Sequence, residues 1–126
     1  RVVTNFIIQS LNNQPLSIYG KGEQTRSFCY VDDLIEGFIR VLAHSSNLGP
    51  INLGNPNEFT MLELAAEVQR LVGSNQPFTF QPIPIDDPRQ RQPDITKAKK
   101  FLQGWEPKIQ LSEGLSKTIN YFKNEN

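Results

Sequence analysis

Four prolines, Pro82, Pro84, Pro88 and Pro93, punctuate residues 82–94. Proline fixes φ, lacks an amide hydrogen and biases the residue before it away from the α region, so neither a helix nor a paired strand runs through this stretch. Ile83 and Ile85 are apolar anchors, and no Gly or Ser run loosens the segment. It therefore reads as a stiff extended loop rather than a linker. The loop carries Arg89 and Arg91 among Asp86, Asp87 and Asp94. A guanidinium held still on such a loop matches a phosphate or carboxylate in a bidentate way. The same residues also read as surface ion pairs, which contribute little.

A chain of 126 residues buries one modest core, and one domain is the prior. Lys plus Arg and Asp plus Glu both number 13, and this zero balance argues against nucleic acid or an anionic membrane as partner. The single cysteine, Cys29, excludes a disulfide framework, and the single histidine, His44, excludes a multi-histidine metal or catalytic centre. No apolar run has the length of a membrane span and no signal peptide opens the chain, which points to the cytoplasm. Arg1 stands directly inside an apolar periodic pattern, the expectation being a piece of something longer.

In chain order, Val2, Val3, Phe6, Ile7 and Leu11 recur at helical spacing, ended by Pro15. Residues 16–19 predict a short strand, and Gly20-Lys21-Gly22 a turn, since no third glycine or following helix makes it a phosphate loop. Residues 26–31 predict a second strand running into a helix capped by Asp33 with Glu36, its face made of Leu34, Ile35, Phe38, Ile39 and Leu42. Cys29 reads as a small core residue and His44 as a cation near the helix end. Residues 51–54 predict a third strand, followed by a turn at 55–58. Thr60 and Glu63 form a capping box with a Phe59–Leu64 staple, opening a helix closed by Gly73. A strand at 78–80 leads into the proline loop. Asp94 then caps a helix over 95–102, and Ser112 caps a last helix with Leu111, Leu115, Ile119 and Phe122 on one face. The whole is an α/β chain of short strands and amphipathic helices.

Three segments carry a resemblance. Gln24-Thr25-Arg26-Ser27-Phe28-Cys29-Tyr30-Val31-Asp32-Asp33-Leu34, Ile51-Asn52-Leu53-Gly54, and the run from Lys97-Ala98 to Gly104-Trp105-Glu106-Pro107 resemble landmarks of the extended short-chain dehydrogenase/reductases, the NAD-dependent epimerase/dehydratase family. Within it, Asp86-Asp87-Pro88-Arg89-Gln90-Arg91-Gln92-Pro93-Asp94-Ile95 is most similar to the UDP-glucuronate decarboxylase branch, as are Arg1 to Ile7 and Thr25 to Phe28. Gln103 departs from the pattern as an extra residue that lengthens a helix end. The resemblance implies the C-terminal, sugar-nucleotide-binding portion of an extended Rossmann-type enzyme over 1–126, with about 27–54 docking on or joining the Rossmann domain.

The same resemblance implies roles. Ile18 and Tyr19 would meet the uracil, and Arg26 and Arg91 would clamp the pyrophosphate. Asp94 would hold a ribose hydroxyl, against its reading as a plain cap, and Asn57 would touch the nucleotide, against its reading as a turn former. Arg91 would also lie near the sugar carboxylate. The implied partner is a UDP-sugar, with no metal, and the intact enzyme a homodimer. The implied cofactor is NAD, bound N-terminal to Arg1, because no Gly-x-Gly-x-x-Gly and no Tyr-x-x-x-Lys occurs in the chain. No catalytic residue is therefore expected here, and the chain alone is expected to be inactive. The implied reaction oxidises C4, releases CO2 from the resulting β-keto acid and reduces the 4-keto pentose. A nucleotide-sugar 4-epimerase, a 4,6-dehydratase, and a stand-alone nucleotide-binding module stay open as alternatives.

Overall fold

The computed structural model describes residues 2–44, 46–83 and 92–125. Segment 84–91, with Arg89, Arg91 and most of the proline loop, lies outside the described residues. The elements run α1 (Val2–Leu11), β1 (Leu16–Tyr19), β2 (Thr25–Arg26), α2 (Val31–Ala43), β3 (Phe59–Thr60), α3 (Met61–Val72), β4 (Phe78–Gln81), α4 (Thr96–Phe101) and α5 (Leu111–Glu125). The α/β class expected from the sequence is the one observed. β1 and β4 pair in parallel, Leu16 opposite Phe78 and Tyr19 opposite Gln81. A parallel pair needs a long crossover, and α3 lies within it. β2 and β3 form a separate two-residue antiparallel pair.

The main core is built by α1, α3 and α5 around β1. It contains Phe6, Ile7, Leu16, Ile18, Leu64, Val68, Leu115 and Ile119. The capping box is formed as expected: Glu63 N donates to Thr60 Oγ1 at 3.0 Å, and Thr60 N donates to Glu63 Oε1 at 2.8 Å. That start fixes the register in which Leu64, Ala65 and Val68 face inward. A second cluster joins Ile95, Ala98, Leu102 and Trp105, with Val41, Leu48, Ile51 and Leu53 packed against it.

Several elements depart from the sequence reading. The strand expected over 26–31 is only Thr25–Arg26, because β3 offers just two residues to pair with. The strand expected at 51–54 is absent; Ile51 and Leu53 instead pack their side chains on the Trp105 cluster. α2 starts at Val31 with Tyr30 at the N-cap position, so Asp33 is not its cap. Asp33 is 8% exposed, and its carboxylate accepts from the amides of Lys108 (3.1 Å) and Ile109 (3.0 Å). Its carbonyl accepts from Trp105 Nε1 at 3.0 Å. Gly37 allows this docking, since a Cβ there would sit 3.0 Å from Leu53 Cδ1 and 3.1 Å from Trp105 Cε2. Ser112 lies inside the first turn of α5 rather than capping it. Gln103 does not extend α4, which ends at Phe101; it adopts φ +57° in the turn that follows. Arg40 Nη1 donates to the carbonyls of Leu102 and Gln103 there.

The apolar stripe of α2 faces outward. Val31, Ile35, Phe38, Ile39 and Leu42 are exposed, Leu42 at 84%. Gly37 and Asp33 form the buried side.

Candidate functional site

Two concavities meet at Arg26. The first, about 330 Å³, lies between α1 and β1. Asn5 and Gln9 reach it from α1, Ser17 and Tyr19 from β1, and Gln24 and Arg26 from the segment that follows. The second is a broader groove of about 600 Å³, with Arg26 to Cys29 on one wall and Gly54, Asn55, Gln92 and Pro93 on the other. Arg26 thus stands where the two join.

Local structure explains these placements. Side chains alternate across a strand, so Leu16 and Ile18 enter the core while Ser17 and Tyr19 face out. Gln9 grips Ser17 twice: its Nε2 lies 3.1 Å from Ser17 Oγ, and its Oε1 accepts Ser17 N at 3.2 Å. The Tyr19–Gly22 turn is closed by Gly22 N donating to the Tyr19 carbonyl at 3.2 Å. Gly22 has φ +75°, and a Cβ there would lie 2.6 Å from Leu62 Cγ, so no other residue fits. Arg26 Nη1 donates to the Thr25 carbonyl at 2.7 Å, and Thr25 Oγ1 to Glu58 Oε2 at 2.6 Å.

The expected site residues are only partly brought together. Tyr19, 46% exposed, and Arg26 share the first cavity. Ile18 does not join them: at 1% exposure its side chain belongs to the core. Asn57 is exposed and lines neither concavity; its amide donates to Asn55 Oδ1 at 3.0 Å, the turn-forming arrangement. Asp94 is also exposed and outside both. Its Oδ1 accepts from Thr96 Oγ1 at 2.6 Å and Thr96 N at 2.9 Å, and these bonds hold its carboxyl below its ordinary range. Asp94 therefore steadies the entry of α4 from one residue before its N-cap, Ile95. Arg91 lies outside the described residues, while the next two residues, Gln92 and Pro93, do reach the groove.

Cys29 is half-buried rather than a core residue. Loss of solvent, and secondarily the charge of Asp33, push its thiol up to about 11. That shift keeps the thiol protonated and slow to react at neutral pH. Gln24 and Gln9 line the cavity without having been singled out from the sequence, whereas Asn55, one of two turn asparagines able to bond the backbone or a ligand, lines the groove. For Gln24 the signal was present, because residues two apart on an extended segment share a face and Arg26 had already been singled out.

Residues 1–54 match the NAD dependent epimerase/dehydratase family. The chain is 52% identical over 123 residues to UDP-glucuronic acid decarboxylase 4 of Arabidopsis thaliana, covering 98% of this chain and 27% of that protein. It is 50% identical over 125 residues to UDP-glucuronic acid decarboxylase 1 of Danio rerio, covering 99% and 29%. The chain belongs to the epimerase/dehydratase family. Its fold matches the UDP-glucuronic acid 4-epimerase of Bacillus cereus, solved with UDP-glucuronic acid and NAD, with a TM-score of 0.92 and 31% identity over 100% of this chain and 40% of that one. The UDP-glucose 4-epimerase of Thermotoga maritima, solved with UDP-glucose, matches with a TM-score of 0.93 and 30% identity over 99% and 40%. This epimerase/dehydratase chain thus spans under a third of these curated relatives' length.

The Gly-x-Gly turn among the described residues does not fit the dinucleotide that the family's description names. The Gly20–Gly22 turn leads into β2 rather than opening a helix whose amides could meet a pyrophosphate. Among the described residues no group of three or more His, Cys, Asp or Glu is placed to hold a metal, and no helix is long and apolar enough to cross a membrane.

Proposed function

We propose that the chain is the UDP-binding portion of an NAD-dependent UDP-glucuronate decarboxylase. The observation that carries this is Arg26 at the junction of two concavities, one ending at Tyr19 and the other bordered by Gln92 and Pro93. A nucleoside diphosphate has that shape: a flat base for the narrower cavity and an anionic bridge for the guanidinium. Identity of 50–52% over nearly the whole chain to UDP-glucuronic acid decarboxylases supports the decarboxylase branch. The match to an epimerase holding UDP-glucuronic acid favours a 4-epimerase as the second reading.

In this reading the Tyr19 ring and the Ile18 backbone meet the uracil, and Arg26 and Arg91 bracket the pyrophosphate. Asp94 and Asn57 lie outside both concavities, so a ribose contact from either requires the ligand to extend beyond them. NAD, held by polypeptide outside this chain, supplies the hydride chemistry at C4. The residues here bind and orient; energy from the nucleotide, remote from the reacting carbon, positions the sugar. The homodimer belongs to the same reading of the whole enzyme.

Calorimetric titration of UDP into the full-length protein tests it. Arg26→Ala and Arg91→Ala each remove charge-assisted bonds of about 1.5–3 kcal/mol, so UDP weakens roughly tenfold to a hundredfold. Arg26→Lys keeps charge but not the fork, and falls between. NAD affinity stays at the wild-type value. UDP affinities that match wild type in all three variants refute the pyrophosphate role. Release of CO2 from UDP-glucuronate by the 126-residue chain alone would refute the division of labour.

A further inference from the structure

The segment between Tyr19 and Arg26 is short, bent and held from two sides. α3 donates its first amides to it, Met61 N to the Gln24 carbonyl at 3.1 Å and Leu62 N to the Gly22 carbonyl at 3.2 Å. From within the cavity wall, Gln24 Nε2 donates to the Tyr19 carbonyl at 3.1 Å. Gln24 is a polar side chain only 6% exposed, and it lines the first concavity with Tyr19 and Arg26. A buried amide is retained where its hydrogen bond fixes something, since desolvating it costs more than an apolar side chain would.

We infer that Gln24 is a positioning residue that sets the distance between Tyr19 and Arg26, so that one ligand reaches both. This rests on the nucleoside diphosphate reading above. Gln24 lies between the two residues in sequence, and its side chain folds back on the first while its backbone leads into the strand bearing the second. Without the bond to the Tyr19 carbonyl, the turn still has Gly22 N as a donor and the α3 amides still hold its far side, but the path from Tyr19 to Arg26 loses the brace on the cavity side. Ligands that meet only one end keep their contacts. A ligand that spans both pays for the lost alignment.

The test is calorimetric titration of UDP, uridine and inorganic pyrophosphate into the full-length protein, with NAD as a control for the intact fold. Gln24→Met keeps length and volume and removes the donor; Gln24→Glu keeps the shape and sets a carboxylate oxygen against the Tyr19 carbonyl. UDP weakens about 5- to 20-fold in Gln24→Met and further in Gln24→Glu, while uridine and pyrophosphate each change less than about twofold. If Gln24→Met does not fold by circular dichroism, Gln24→Glu carries the same comparison. UDP affinity equal to wild type in a folded variant overturns the inference, as does a uridine loss as large as the UDP loss. A wild-type protein that binds no UDP overturns the nucleotide reading and this inference with it. UDP binding that Arg26→Ala weakens and Gln24→Met spares overturns only the inference.

Discussion

Replacing Asp33 tests how α2 is attached. The carboxylate accepts two backbone amides from the segment before α5, and its own carbonyl accepts the indole of Trp105. Asp33→Ala leaves the amides of Lys108 and Ile109 without that acceptor in a partly buried site, while the indole bond to the backbone survives. Bonds to a charged acceptor contribute about 1.5–3 kcal/mol each, and water can recover part of two that share one side chain, so the net cost is about 2–4 kcal/mol. Asp33→Asn keeps one acceptor oxygen but turns a donor toward the second amide, for about 1–2 kcal/mol. Trp105 is the only tryptophan of the chain and is buried against Asp33, so its fluorescence reports the site directly during urea unfolding. The expected order is wild type, Asp33→Asn, then Asp33→Ala, with Trp105 emission shifting to the red. Both variants within about 0.5 kcal/mol of wild type would refute the anchor, because surface substitutions already reach that range.

Two further outcomes follow from exposure and burial. Cys29, its thiol held up at about 11 by burial, is alkylated slowly near neutral pH, with a rate that climbs past pH 9 rather than levelling there. Because the folded pKa exceeds the ordinary value of 9.0, the associated stability is present below that value and lost as pH rises toward 11; a rate plateau near pH 9 would contradict this. The apolar stripe of α2 binds a hydrophobic dye in the 126-residue chain, and Phe38→Glu with Leu42→Lys abolishes that signal while leaving the urea midpoint within experimental error. Unchanged dye binding would place the apolar surface elsewhere.

What the sequence made legible was local. α3 was readable because its capping box, staple, stripe and Gly73 stop all lie within a few residues of one another. Asp33 was misread for the same reason: Asp33-x-x-Glu36 imitates a capping box, while its actual partners lie 75 and 76 residues away. The stripe of α2 was expected to stand exposed in a chain of this extent, and it does, while the helix packs at Gly37 on Trp105 from its other side. Periodicity names a face but not what covers it. Tyr19 and Arg26, both named from the sequence, line one cavity, and strict alternation along β1 already implied that Ile18 and Tyr19 point to opposite sides. Gln24 carried a signal in its spacing from Arg26, whereas Gln9 depended on how α1 meets β1.

The two hydrophobic clusters give the candidate site its form. Tyr19 and Gln24 border a cavity whose lining includes Phe6 and Met61 of the first cluster, whereas Gly54, Gln92 and Pro93 border the groove with Leu53, which packs on the Trp105 cluster. Gln92 Nε2 donates to the Pro56 carbonyl at 2.8 Å, and a Cβ on Gly54 would lie 2.9 Å from Pro93 Cγ. Leu53, adjacent to Gly54, is also the residue on which Gly37 of α2 bears. A ligand lying along Arg26 from the cavity into the groove therefore touches both clusters. Leu53 thus connects α2, which packs on it at Gly37, to the wall of the groove by direct packing. The exposed stripe and the buried contact are opposite sides of one helix.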